Sequence, residues 1–169
     1  MVSAIFLTER EVTELEPNAP KVPGRIITTL EKAKEIRPMV EKCITIAVKG
    51  LAGEAGAVEF ESKAERGSEE WKAWRKSDMW RKWADARSPG ITARRRVYAM
   101  IRDKQAVEIL FNRIAPRFTE RDGGYTRIMR LAKPRLGDNG TRAILEFVGK
   151  NDRVKKVKAP KPAFDVAAS

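Results

Sequence analysis

Apolar positions along this chain fall into separated runs, and the spacing within each run names the element it predicts. Ala33, Ile36, Val40, Cys43, Ile44 and Ala47 recur every three or four residues, the stripe of a helix with one face on a core. Thr28, with Glu31 three positions on, reads as a capping box opening that helix, and Arg25–Thr28 as a short strand before it. Pro38 falls inside the stripe and predicts a local kink. A second stripe, Val107, Leu110, Phe111, Ile114 and Phe118, predicts a helix capped by Asp103 with Pro116 near its end. Gly123-Gly124 breaks the pattern. Tyr125–Leu131 and Arg142–Val148 then read as two strands of a hairpin with a long connection through Gly137-Asp138-Asn139-Gly140.

Other stretches are less regular. Val2, Ala4, Ile5, Phe6 and Leu7 form an apolar cluster ending at Thr8-Glu9-Arg10, the expected last turns of a helix that continues upstream into a basic segment. An acidic loop with Pro17, Pro20 and Pro23 follows. Residues 50–91 read as an insertion, loose at first because of Gly50, Gly53, Gly56 and Gly67, then helical from Ser68-Glu69-Glu70. On one helix Trp71 and Trp74 would lie on one side, with Trp80 and Trp83 roughly opposite. The helix therefore breaks near Ser77-Asp78, or the segment packs on two faces. These indoles suit anchors for RNA or a partner protein, and equally a flap folded on the domain. Ser88-Pro89-Gly90 is expected to end this segment, with Thr92 capping a short helix through about Arg102.

Charge changes the picture more than composition does. The 169 residues include 35 Lys and Arg against 23 Asp and Glu, a formal net charge of +12. Residues 1–92 are net +1, residues 93–148 net +7 and residues 149–169 net +4. An excess confined to the second half points to a polyanionic partner. Lys155-Lys156-Val157-Lys158 and Pro160-Lys161-Pro162 mark 150–169 as a basic, flexible tail, leaving 1–149 as a single domain.

The chain has no histidine and one cysteine, Cys43, inside an apolar stripe. Histidine-based catalysis, His/Cys zinc sites and internal disulfides are thereby excluded, and neither a cofactor nor a small-molecule substrate is expected. No apolar run approaches the ~20 residues of a membrane span, and no signal-peptide pattern opens the chain. An intracellular, soluble, non-enzymatic protein is expected.

Two constellations are candidates for phosphate contact. Arg94-Arg95-Arg96 fall at the predicted start of a helix, where cations oppose the dipole, so phosphate would explain what folding disfavours. In the stretch Pro116–Ile128, Arg117 and Arg121 are i,i+4 neighbours, Gly123-Gly124 lets a phosphate approach the main chain, Tyr125 offers a stacking ring, and Thr126 and Arg127 add donors. No Gly-Lys-Ser/Thr follows, so this is not a nucleotide-cradling loop. A DNA-binding regulator or nucleoid protein reading 94–102 as a recognition helix is the alternative, weakened by the lack of helix-turn-helix spacing. A protein-interaction module built on the tryptophans is another.

Ile26-Ile27-Thr28-Thr29, Lys32 to Pro38, Leu110-Phe111-Asn112, Pro116-Arg117-Phe118, the run Gly123 to Ile128, and Gly137-Asp138-Asn139 followed by Ala143 to Val148 together resemble the bacterial large-subunit ribosomal protein seventeen family over about 25–49 and 92–149. The resemblance implies an α+β fold with helices on one face of a small mixed three-stranded sheet. It also implies a cytoplasmic, ribosome-bound protein that supports large-subunit ribosomal RNA near the nascent-peptide tunnel exit, beside other large-subunit proteins. The positions it nominates for RNA are Arg94, Arg95, Arg117, Arg121, Tyr125, Thr126, Arg127, Lys133 and Arg135. The family's usual basic N-terminal arm is not among these residues. A start upstream of Met1 is expected, in keeping with the helix end at Val2–Arg10, the alternative being a family member that has lost the arm. The Trp-rich insertion and the Lys/Pro tail are additions to the family pattern.

Overall fold

The computed structural model of the chain describes residues 1–13 and 16–149, so the expected basic tail lies outside the described residues. The first helical stripe lies on α2 (Leu30–Ala55), where Ala33, Val40, Cys43, Ile44 and Ala47 are wholly buried and Ile36 packs at the rim. The helix continues through the exposed Pro38. Its start differs from the expected capping box. Strand β1 (Arg25–Thr29) takes in Thr28, the cap falls on Thr29 without a side-chain bond, and the Leu30 N–H donates to the Thr141 carbonyl at 3.0 Å. Sheet pairing, with Thr28 opposite Ala143, claims the residue that the local motif assigned to the helix.

The hairpin forms as expected from β2 (Thr126–Arg130) and β3 (Arg142–Phe147), with β3 in the centre of the order β1-β3-β2. The sheet is antiparallel throughout, not mixed. β1 and β2 do run parallel to each other, but β3 separates them, so no parallel pair forms. Strand alternation divides the sheet. Ala143, Leu145 and Phe147 face the core with Ile26 and Ile128 beside Leu145, under α2. On the other face Glu146 lies between Arg25 and Arg127, and Ile144 between Ile27 and Met129.

Helix α1 (Val2–Leu7) is no exposed stub: Ile5 and Phe6 are fully buried, and Phe6 stacks on Phe147 with ring centres 6.1 Å apart. The Thr8 hydroxyl donates to the Ile5 carbonyl at 2.6 Å and accepts from the Gly24 N–H at 2.9 Å, tying α1 to the entrance of β1. Gly24 has φ +73°, and a Cβ there would come within 2.8 Å of Glu9 Oε1, so both backbone and space require glycine.

The segment 50–91 departs most from expectation. Gly56 ends α2 and Gly67 lies in a turn at φ +100°, as expected of breaks, but Gly50 and Gly53 do not loosen the chain. Gly50 is buried inside α2, and after α3 (Glu69–Lys76) the helix α4 (Asp78–Ile101) runs unbroken through Ser88-Pro89-Gly90 and Thr92. The two long helices cross closely and antiparallel. A Cβ on Gly50 would meet Ala93 Cβ at 2.6 Å, one on Gly53 would meet the Pro89 ring at 3.0 Å, and one on Gly90 would meet Glu54 Cγ at 2.3 Å. These glycines serve contact between helices rather than chain breaks. Of the two alternatives for the tryptophan pairs, the helix break is the one that occurs, at Ser77, and Ser68 caps α3 by accepting from the Trp71 N–H at 3.1 Å.

α4 ends at Arg102, left-handed at φ 58°, and Asp103 caps α5 (Lys104–Ile109) by accepting from the Ala106 N–H at 3.1 Å. The second stripe is buried as expected, but not on one regular helix: a wide π turn (Leu110–Ile114) and a tight 3₁₀ turn (Ala115–Phe118) follow α5. Pro116 has no N–H for the carbonyl four residues back and its ring crowds that carbonyl, so the backbone widens ahead of it.

Candidate nucleic-acid interface

The structure separates the nominated residues into three kinds. The first are arginines held by carboxylates. Arg94 reaches from α4 to Glu54 on α2 through two bonds of 3.1 and 3.2 Å, and its guanidinium lies 4.4 Å from the Phe111 ring centre. Arg117 donates to the buried Glu9 carboxylate at 3.1 Å, its guanidinium over the rings of Phe118 and Phe147. Arg127 and Arg25 grip opposite oxygens of Glu146, whose side chain is fully buried. Arg135 forks onto Asp138, a pair that holds the Asp138 carboxyl well below the usual carboxylate range, with the Gly140 N–H adding to the effect. Arg117 and Arg127 are thus structural members of the fold and not simple surface cations, because each neutralises a carboxylate taken out of water.

The second kind is buried. Tyr125 is 3% exposed and packs its ring 5.1 Å from Phe118, so it is a core ring and not an open stacking platform. Thr126, equally buried, donates its hydroxyl to Glu41 Oε1 at 2.8 Å across to α2.

The third kind is open. Arg95, with its neighbour Arg96, and Lys133 are exposed and make no ion pair among the described residues. Arg121 is exposed and donates to the Gly123 carbonyl at 3.0 Å. Gly123 and Gly124 have φ +151° and +62°, and nothing lies within 4 Å of a Cβ built on either, so their main chain is accessible.

Sequence reasoning missed one cluster. Thr28, Thr29, Lys32, Arg135 and Arg142 line a cleft of about 300 Å³ at the end of the sheet. Thr29 stands opposite Arg142 only through pairing of β1 with β3, a long-range register that no local motif announces. Among the described residues no three His, Cys, Asp or Glu side chains form a metal-holding group, and no helix is long and apolar enough to cross a membrane. Cys43 is fully buried, and burial pushes its thiol up to about 11, against a smaller opposing pull from Lys42.

Fold and site define a class, a small basic α+β protein whose surface offers exposed guanidinium, ammonium and backbone donors of the kind that take phosphate. Comparison with known proteins is specific. The ribosomal protein L17 family matches residues 22–148. A large ribosomal subunit protein bL17 of Rhodopirellula baltica is 65% identical over 163 residues, covering 96% of this chain and 77% of that protein. The bL17 proteins of Chlorobium limicola and Halothermothrix orenii are each 35% identical, over 86% and 74% of this chain and 77% and 75% of their own lengths. The chain belongs to the ribosomal protein L17 family, a structural component and not an enzyme.

Proposed function

We propose that the chain is built into the large ribosomal subunit in the bacterial cytoplasm, where it binds and stabilises ribosomal RNA near the tunnel exit, beside other large-subunit proteins. The observation that carries this reading is membership of the L17 family together with exposed cations that the fold leaves without a carboxylate among the described residues. Arg95, Arg121 and Lys133 are the primary phosphate contacts. Lys32 and Arg142 in the cleft join them. Arg94, Arg117 and Arg135 use part of their donor sets internally and present the remainder from a fixed fork, while Arg127 holds Glu146. Tyr125 and Thr126 hold the underlying fold. Residues 1–149 act as one unit.

Ribosome fractionation tests the reading. The protein is expected to co-sediment with the large subunit and to stay there through a moderate-salt wash. Recovery in the soluble fraction at physiological salt would overturn it.

A further inference from the structure

We propose that α3 and the first turns of α4 form a second RNA site, a pocket that captures an unstacked base between indole walls and holds its flanking phosphates on arginines. The proposal rests on the RNA-binding reading above and adds a site to it. All four tryptophans of the chain, Trp71, Trp74, Trp80 and Trp83, line one cavity of about 430 Å³. That volume falls within the ~300–1,000 Å³ of small-ligand clefts and accommodates a base with its ribose.

The walls are set in place without being buried. Trp74 donates its indole N–H to the Phe60 carbonyl at 3.2 Å and meets Trp83 edge-on at 5.6 Å. All four indoles nevertheless remain partly exposed, and none joins the buried core cluster. A segment folded merely to cover its tryptophans would leave less ring surface in water.

The rim supplies the second half of the argument. Arg75 lies 5.2 Å from the Trp71 ring centre and Arg87 5.0 Å from that of Trp83, while Arg66 also borders the cavity. All three arginines are exposed and have no carboxylate partner among the described residues, and Glu61 is the one acidic residue of the lining. Indole rings with guanidiniums over them, and no carboxylate holding those guanidiniums among the described residues, match a nucleotide, with a planar base to join the stack and phosphates for the arginines. An acidic peptide would satisfy the charge but leave the ring faces unused.

Because every tryptophan lines the cavity, emission excited at 295 nm reports this site alone. The full chain is titrated with an adenosine RNA hexamer, an abasic ribose-phosphate hexamer of equal charge, and an oligo-glutamate peptide. The adenosine hexamer is expected to quench emission and to bind about tenfold or more tighter than the abasic one. The paired substitutions Arg75→Gln and Arg87→Gln, on exposed side chains, are expected to weaken it about ten- to a hundredfold, as is Trp71→Leu, with the thermal melt unchanged for the arginine pair. Equal binding of adenosine and abasic hexamers, or equal quenching by oligo-glutamate, would overturn base capture. So would adenosine-hexamer binding seen by anisotropy of an end label with unchanged emission. If no hexamer binds, the pocket proposal fails, and large-subunit co-sedimentation of the same preparation decides the wider RNA reading separately.

Discussion

At the scale of single residues, the fold buries the ionisable side chains of Cys43 and Glu146 completely, in different surroundings. Cys43 is kept neutral. Its ordinary value of 9.0 rises to about 11 because burial disfavours the thiolate. The folded value lies above the unfolded one, so the associated stability is fully present below pH 9 and is lost as pH climbs from about 9 to 11. A shift of that size corresponds to roughly 2–3 kcal/mol. Urea titrations of wild type and Cys43→Ala at pH 8 and pH 11 should show a larger alkaline loss for wild type; equal losses would contradict it. Glu146, also fully buried, is gripped from both sides by Arg25 and Arg127. Replacing both arginines with alanine strands a buried carboxylate and is expected to cost about 3–5 kcal/mol in thermal or urea unfolding. Glu146→Gln should cost less, since both guanidiniums are partly exposed and can turn to water. A double variant as stable as wild type would show the triad to be dispensable.

Secondary-structure elements show which features were legible in the sequence. The stripes Ala33–Ala47 and Val107–Phe118, the helix start at Ser68-Glu69-Glu70, the Asp103 cap and the hairpin could be read because each depends on residues within a few positions of one another. The glycines at 50 and 90 could not. Their purpose is set by a helix some forty residues away in sequence, and the same residue type signals a chain break when no partner helix is in view. The same holds at the candidate site: Arg94 is claimed by Glu54, Arg117 by Glu9 and Thr126 by Glu41, all distant along the chain. The sequence told which residues were basic, and only the packing told which of them the protein keeps for itself. The crossing also yields a test. Gly50→Ala gains about 1 kcal/mol of helix propensity but drives a methyl against Ala93, so it is expected to destabilise by about 1–3 kcal/mol. Gly56→Ala, where the added Cβ meets nothing closer than 3.7 Å, should stay within about 0.5 kcal/mol. Chemical unfolding of the two variants side by side checks the contrast, and the reverse ranking would refute the close-crossing account.

For the whole molecule, the charge that matters is what remains after internal pairing. Arg94, Arg113, Arg117, Arg127 and Arg135 of the basic second half are partnered by carboxylates of the same chain, whereas Arg95, Arg121, Lys133 and Arg142 have no such partner among the described residues. Alanine at each of Arg95, Arg121 and Lys133 should leave the melting temperature nearly unchanged and lower the slope of log K against log salt by about one for each phosphate no longer neutralised. Binding to ribosomal RNA fragments measured at several salt concentrations checks this; an unchanged slope removes that residue from the interface. Helix α4 then has a consequence of its own. It runs as one rod from Trp83 to Arg95, a rise of about 18 Å at 1.5 Å per residue. The rod acts as a gauge, fixing both the separation and the angular phase between the indole pocket and the exposed Arg95 and Arg96. An RNA that engages both must present an extruded base and a phosphate run at that spacing. A single residue inserted between them would swing one end by about 100° relative to the other, so the pair of sites can change in sequence far more freely than the helix between them can change in length.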